Sequence, residues 1–234
     1  MSKTAGAEIT VLSAGAVEPG LAKVLDAYRR ETGDEVKITF ATAPQLLKRI
    51  SGGEAADVVI APPAALDELG KAGNAALVER VTVGRIGVGV AVRQSVSAAR
   101  IATVDEFKQS LLSAESVVYN QASTGIYIEG LLNRLGIAEQ LKAKTMRYAD
   151  FAAVLDHVIN GKGNEIALGA TTVIIEAKTQ GLKFVGPLPA EIQNYTSYAA
   201  TVTAEGPAKA AAREFVRYLA TPAAKAMFAA AGIE

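Results

Sequence analysis

Short apolar strands alternate with amphipathic helices through roughly the first third of the chain. In the first helical segment, Pro19 suits a first turn and Gly33 suits the position just past the last turn. Parallel strands need a long crossover connection, which a helix usually provides. The β-α-β-α-β-α order therefore predicts a parallel, doubly wound sheet. The segments that carry this order are "AEITVLSAG", "PGLAKVLDAYRRETG", "EVKITFATA", "PQLLKRISGG", "ADVVIAPP" and "AALDELGKAG".

A second α/β pattern follows, and two apolar strands link it to the first. "RIGVGVAVR" crosses into it, "YTSYAATVT" returns from it, and a helical pair broken at Pro222 ends the chain. We therefore predict an α/β fold of two lobes, each a mostly parallel sheet flanked by helices, with crossing hinge strands. The predicted division is 1–84 with 200–234 for lobe 1, 93–190 for lobe 2, and hinge strands near 85–92 and 191–200.

Composition narrows the class of protein. Half of the 234 residues are hydrophobic and 21% are charged, which is typical of a folded globular chain. Basic and acidic residues balance at 24 each and form no basic block, so a nucleic-acid partner is not expected. No apolar run is long enough to span a membrane. The chain lacks cysteine and clustered metal ligands, so we expect neither a metal site nor a cofactor.

One local event recurs in three places: a strand ends in small or hydroxyl residues and a helix begins at once. In a parallel sheet these loops share the carboxyl edge, where ligands bind. Helix N-termini there present unpaired N–H groups and partial positive charge, which suit a carboxylate or oxyanion. Plain helix capping is the alternative for each loop. The predicted ligand-binding residues of these loops are Ser13, Gly15, Ala16, Thr42, Ala43, Ser123, Thr124 and Gly125.

Other candidate residues are more isolated. Arg85 has a guanidinium suited to a ligand carboxylate, with a surface salt bridge as the alternative. Tyr127, one turn into its helix, either bonds a ligand or packs. His157 lies within a helical pattern and is interpreted as a surface or packing residue, because no Ser/His/Asp arrangement surrounds it. A general base for proton transfer would come from Glu18, Glu129 or Tyr127.

Several segments together resemble the periplasmic solute-binding proteins of the molybdate-binding type, and the likeness runs over nearly the whole chain. They include the region from "ITVLSAG" to "DVVIAP", then "STGIYIEGLLNRLGI" and the ending "YLATPAAKAMFAAAGIE". "VGRIGVGVAVR" and "GPLPAEIQNYT" resemble a divergent branch of that family. The resemblance implies two lobes that close over a ligand.

The resemblance also implies where this chain departs from molybdate binders. Members that bind molybdate or tungstate use serine hydroxyls at positions that match Ala16 and Ala43, and a tyrosine where this chain has Ala170 and Thr171. A buried dianion needs many donors, so these differences argue against molybdate. Thr171 joins the predicted ligand-binding set, and an organic acid is the expected ligand.

The resemblance thus predicts a monomeric solute-binding protein that holds a small anion in an interlobe cleft, with an ABC permease as its partner. A relative with this fold acts as an aconitate isomerase, so an isomerase of a polycarboxylate is the alternative. "MSKTAGAEITV" contains no secretory signal. We therefore expect a periplasmic protein whose signal peptide is already removed, or a cytoplasmic protein if Met1 is native.

Overall fold

The computed structural model describes residues 6–71, 77–203 and 208–234. The chain divides into two compact units, which are described separately. Unit 1 contains Met1–Arg85 and Ser197–Glu234, and unit 2 contains Ile86–Thr196. The chain therefore passes between the units twice, after Arg85 and after Thr196. Within the described ranges, no helix combines the length and apolar character that a membrane crossing requires.

Unit 1 begins with the predicted alternation of strands and helices, and it ends with two helices from the C-terminal part of the chain. Two strands, β4 and β9, contribute only part of their length to it. Its elements are β1 Glu8–Ala14, α1 Glu18–Thr32, β2 Glu35–Ala41, α2 Ala43–Ser51, β3 Val58–Ala61, α3 Pro63–Lys71, the first part of β4 Leu77–Arg93, the last part of β9 Tyr195–Thr203, α9 Lys209–Leu219 and α10 Pro222–Ala230.

Helix α1 follows its sequence signals. It contains Pro19 in its first turn, and Gly33 ends it in the left-handed conformation at φ 81°. Leu21, Val24 and Tyr28 are buried along one stripe, as the apolar spacing predicts. The stripe packs α1 against the rest of unit 1.

The sheet of unit 1 has the strand order β2-β1-β3-β9. Strand β1 is parallel to both β2 and β3, with Ala14 opposite Ala41 and Ser13 opposite Ile60. Strand β9 pairs with β3 in the antiparallel direction. The carboxyl ends of β1, β2 and β3 consequently lie along one edge, and a helix starts after each of them.

Unit 2 is built around a second sheet. Its parallel strands are β5, β6 and β7, and β4 pairs in the antiparallel direction with both β7 and β8. Its elements are the rest of β4, α4 Val104–Ser113, β5 Ser116–Asn120, α5 Ser123–Arg134, α6 Ala138–Leu141, β6 Thr145–Tyr148, α7 Phe151–Asn160, β7 Glu165–Ala170, α8 Thr171–Glu176, β8 Leu182–Pro187 and the start of β9.

In this second sheet, strands β5 and β7 are buried on both faces. Val117 and Ile166 pack with residues of α4 and α5, such as Phe107. Val118 and Ala167 face the other way and pack with α7. Burial on both faces is typical of parallel strands and explains their continuous apolar sequences. The predicted α/β class is confirmed in both units.

Candidate functional site

The first loop at the carboxyl edge of unit 1 follows β1 directly. Ser13 is the last residue but one of the strand and has no solvent exposure, and Ala14 after it is also buried. Its hydroxyl donates only a long hydrogen bond of 3.3 Å to the Ala14 carbonyl. A 3₁₀ turn, Gly15–Val17, then leads without a break into α1 at Glu18. The loop is therefore tight, and Ala16 lies at the mouth of a helix as predicted, with a methyl group as its side chain.

The second loop is a helix cap. Thr42 and Gln45 form a capping box, in which the Gln45 side-chain oxygen accepts from the Thr42 backbone N–H at 2.8 Å. The Thr42 hydroxyl accepts from the backbone of Gln45 and retains its own proton, because a hydroxyl accepts and donates at once. The capping interpretation of this loop is thus correct, and it leaves a donor beside Ala43, the first residue of α2.

In unit 2, the side chain of Asn120 holds the loop between β5 and α5. Asn120 Oδ1 accepts from the backbone N–H of Ala122 at 3.1 Å. Ser123 begins the helix, and Thr124 is buried at 6% exposure. A Cβ atom on Gly125 would lie 1.6 Å from the Asn120 carbonyl oxygen. The glycine is therefore required by close contact of helix and strand, a reason that the sequence did not reveal.

Thr171 lies at the same edge of unit 2. It is the first residue of α8 and directly follows Ala170, the last residue of β7. Because β5 and β7 are parallel neighbours, their carboxyl ends point the same way. The structure therefore brings the predicted residues together within each unit: Ser13, Gly15 and Ala16 with Thr42 and Ala43 in unit 1, and Ser123, Thr124 and Gly125 with Thr171 in unit 2.

The candidate bases are engaged with different partners. The Tyr127 hydroxyl donates to the Ile192 carbonyl at 2.7 Å. Glu129 forms an ion pair with Arg147 at 2.9 Å. Residues two apart on a helix point in different directions, which explains why the two do not share partners. Glu18 is the exposed first residue of α1, where a carboxylate is favourable to the helix dipole.

Arg85 is held by the C-terminal residue of the chain. Its guanidinium pairs with the Glu234 carboxylate at 2.9 Å, and more than half of each side chain is exposed. The backbones also pair, from Arg85 N–H to Glu234 O at 2.7 Å and from Glu234 N–H to Arg85 O at 2.9 Å. The structure thus shows the salt bridge that was the alternative interpretation of Arg85.

Two features of the structure were not predicted. His157 bridges two hydroxyls, with Nε2 3.0 Å from Ser116 Oγ and Nδ1 2.8 Å from the Tyr148 hydroxyl. Tyr198 lies beside the carboxyl end of β3 and is buried, and burial raises the pKa of its phenol. No group of metal-ligating side chains occurs among the residues that the structure describes.

Two α/β units, each with helix N-termini and hydroxyls at the carboxyl edge of its parallel strands, define a solute-binding type of protein. Comparison with known proteins agrees: the chain belongs to the bacterial extracellular solute-binding protein family, whose model matches residues 9–234. The chain is also similar to the periplasmic molybdate-binding protein of Azotobacter vinelandii. That structure has a TM-score of 0.80 and 19% identity, over 97% of this chain and 98% of the other. The predicted two-lobed fold is therefore confirmed.

Two relatives carry names with a ligand or activity. An aconitate isomerase of a Pseudomonas species is 32% identical over 228 residues, covering 94% of this chain and 85% of the relative. The molybdate-binding protein of Escherichia coli strain K12 is 26% identical over 231 residues, covering 94% of this chain and 86% of the relative. The fold alone does not fix the ligand, because one fold serves many functions.

Proposed function

We propose that the protein binds a small organic acid, rather than molybdate, as the periplasmic solute-binding component of an ABC-type uptake system. The observation that carries this proposal is the absence of a hydroxyl at Ala16 and Ala43, the positions at the mouths of α1 and α2. The greater identity to a relative named for aconitate, a tricarboxylate, than to a molybdate-binding relative also supports it.

The donor set explains the preference. An oxyanion taken out of water keeps its charge only if hydrogen bonds replace its hydration. A tetrahedral dianion requires hydrogen-bond donors around all four of its oxygens. A di- or tricarboxylate requires donors only around each of its separate carboxylate groups. Hydroxyls remain at both edges, on Ser13 and Thr42 in unit 1 and on Ser123, Thr124 and Thr171 in unit 2. Such a set suits a ligand with separated carboxylates better than a compact dianion.

A thermal-shift panel tests the proposal. It contains molybdate, tungstate, sulfate, phosphate, and di- and tricarboxylates. A ligand at about 100 times its dissociation constant adds about 2.7 kcal/mol, which corresponds to about 5–10 °C in a protein of this size. We expect such a shift with a carboxylate. A shift with molybdate alone would contradict the argument from Ala16 and Ala43.

A gain-of-function variant sharpens this test. Ala16→Ser combined with Ala43→Ser restores both hydroxyls, and serine is small enough for these positions. We expect the double variant to bind molybdate at least about tenfold more tightly than the parent, as one or two added donors to a charged ligand allow. Equal molybdate affinity in the two proteins would show that the hydroxyls are not what limits molybdate binding.

Thr124→Val tests the unit 2 edge. The change removes the hydroxyl of a largely buried residue and keeps the shape of the side chain, so we expect ligand affinity to fall by about tenfold or more while stability changes little. Thr145→Val is a matched control, since Thr145 begins β6 at the opposite edge and donates to the Leu141 carbonyl at 3.0 Å. An equal loss of stability and binding in Thr124→Val would indicate that the hydroxyl only supports the helix.

An isomerase of aconitate or a related polycarboxylate is the second candidate, and the relative of that name is the observation that favours it. Its general base would come from Glu18, Glu129 or Tyr127. Incubation with cis- or trans-aconitate at high protein concentration tests this function by the appearance of the other isomer. If neither isomer converts, this candidate is removed. If conversion occurs, Glu18→Gln and Glu129→Gln identify the base.

A further inference from the structure

Tyr198 lies at the carboxyl edge of the parallel strands of unit 1, where the ligand site is predicted, although the predicted site does not include it. In the sheet, Ser13 is opposite Ile60, and Ile60 is opposite Ala200. Paired residues share a face of the sheet, and so do residues two apart along a strand. Tyr198 is therefore on the same face as Ser13. It is also one step beyond Ala61, where β3 ends, and thus level with the loops that follow β1 and β2.

The surroundings of the phenol are unusual. Tyr198 is only 4% exposed, but its hydroxyl oxygen still reaches solvent and has no hydrogen-bond partner among the described residues. Buried tyrosine hydroxyls normally have one. In this chain, Tyr28 donates to Asp34 at 3.3 Å and Tyr127 donates to Ile192 at 2.7 Å. A hydroxyl that reaches solvent at this edge and bonds to no described residue is free to donate to a bound ligand.

The charge state of the phenol selects the kind of partner. Desolvation raises the pKa of Tyr198, so the hydroxyl remains protonated at neutral pH. A neutral phenol can donate one hydrogen bond, which suits an anionic oxygen. The hydroxyl of Ser13, fully buried on the same face, is bonded only at 3.3 Å and offers a second donor close to the edge.

We propose that Tyr198 is a ligand-contacting residue of unit 1, whose O–H donates to a carboxylate oxygen of the bound acid. This inference rests on the proposed function and adds a donor to the ligand set. It also explains how an edge that lacks hydroxyls at Ala16 and Ala43 still recognises an anion: the donor comes from the side of β9 and not from the helix mouths.

Isothermal titration calorimetry with trans-aconitate, citrate and molybdate tests the inference on the whole protein and on two variants. Tyr198→Phe removes the hydroxyl and keeps the ring. We expect carboxylate affinity to fall by about tenfold to a hundredfold, as for a lost hydrogen bond to a charged group. The melting temperature without ligand should stay the same or rise, because no bond within the protein is lost. If the role of Tyr198 were purely structural, Tyr198→Phe would lower the melting temperature and leave the carboxylate affinity unchanged.

Tyr28→Phe is the matched control. It removes a buried hydroxyl from α1 in the same unit, at the amino end of β2 and away from the carboxyl ends of the strands, and should leave affinity within about twofold of wild type. If wild type binds a carboxylate and Tyr198→Phe binds it equally well, this inference is wrong and the proposed function stands. An equal loss in both variants overturns the inference as well. If wild type binds none of the three probes, the inference and the carboxylate proposal both fail.

Discussion

Asp57 is a buried carboxylate that joins three segments of unit 1. It is 1% exposed, and its Oδ2 accepts from the backbone N–H and the hydroxyl of Thr10 at 2.8 and 2.7 Å. Its Oδ1 accepts from the Ala208 N–H at 2.9 Å. Asp57→Ala leaves these donors without an acceptor in the interior. We expect the free energy of unfolding to fall by about 3 kcal/mol, measured by urea denaturation.

Asp67→Ala is the control for this prediction. Asp67 pairs with Arg80 at 2.8 Å, but about half of its side chain is exposed. Surface ion pairs of this kind contribute at most about 1 kcal/mol, so the unfolding midpoint should hardly move. If the two variants lost the same stability, the effect at Asp57 would be one of charge alone, and burial of the network would not matter.

Buried tyrosines make the protein sensitive to alkaline pH. Burial raises the pKa of Tyr28, with the Asp34 carboxylate adding to the effect, and burial also raises the pKa of Tyr198. Below about pH 10 both folded and unfolded states hold these protons, and the contribution to stability is complete. Above it the unfolded state releases them first, so the free energy of unfolding decreases as pH rises.

Urea denaturation at about pH 8 and at about pH 10.5 measures this loss. The difference between the two pH values should be smaller in Tyr198→Phe and Tyr28→Phe than in wild type, because each variant removes one shifted group. If the free energy of unfolding fell by the same amount between the two pH values in both variants as in wild type, groups other than the buried phenols would cause the loss of stability at alkaline pH.

Individual residues of the candidate site were predictable only as far as local sequence determines them. The pattern of strand ends placed Ser13, Thr42 and Thr124 at helix mouths, because a strand end and a helix start are both local signals. It did not reveal that Arg85 pairs with Glu234, a residue 149 positions away. Tyr198 could not be predicted as a site residue for the same reason, because its position beside β3 depends on antiparallel pairing between distant segments.

At the scale of elements, the junction of β5 and α5 is set by contact between strand and helix. Gly125→Ala would place a methyl group 1.6 Å from the Asn120 carbonyl oxygen, so the first turn of α5 must shift. We expect a loss of about 3 kcal/mol in the free energy of unfolding and weaker ligand binding, because Thr124 moves with the turn. Urea denaturation and calorimetry measure the two effects.

Gly130→Ala in the same helix is the control. A Cβ atom there meets only the Arg134 guanidinium, at 3.5 Å, so the change should be neutral or stabilising by up to about 1 kcal/mol. A large loss of stability in Gly130→Ala would show that α5 tolerates no added methyl group. The contact with Asn120 would then not explain the loss of stability in Gly125→Ala.

Most elements could be predicted because their apolar spacing is strong, as in α1 and β3. Two could not: β6 and α6 are each four residues long, and neither residue of the β6 interior is buried. Without a buried face there is no periodicity to detect. Thr103 and Glu106 have the spacing of a capping box, but only half of the box forms: Thr103 accepts from the Glu106 N–H, and the Glu106 carboxylate accepts from the Ala102 N–H instead of the Thr103 N–H. A complete capping box forms at Thr42 and Gln45, in a loop that the sequence predicts to bind the ligand.

At the scale of the whole molecule, the two units differ in how the chain builds them. Unit 2 is one continuous stretch, Ile86–Thr196, whereas unit 1 needs both ends of the chain. In unit 1, the ring of Tyr28 on α1 lies 5.1 Å from those of Phe215 and Tyr218 on α9. Strand β9 covers the free side of β3. Removal of the C-terminal part would therefore expose both an apolar helix face and a strand edge.

We accordingly predict that residues 86–196 fold when produced alone, and that residues 1–85 do not. The first fragment retains every paired strand of the unit 2 sheet and the helices on both of its faces. It should therefore show cooperative urea unfolding by circular dichroism. The second fragment should regain cooperative unfolding when residues 197–234 are joined to it through a flexible linker, because β9, α9 and α10 are then restored. A folded 1–85 fragment, or a 86–196 fragment without a cooperative transition, would mean that stability is not divided between the units in this way.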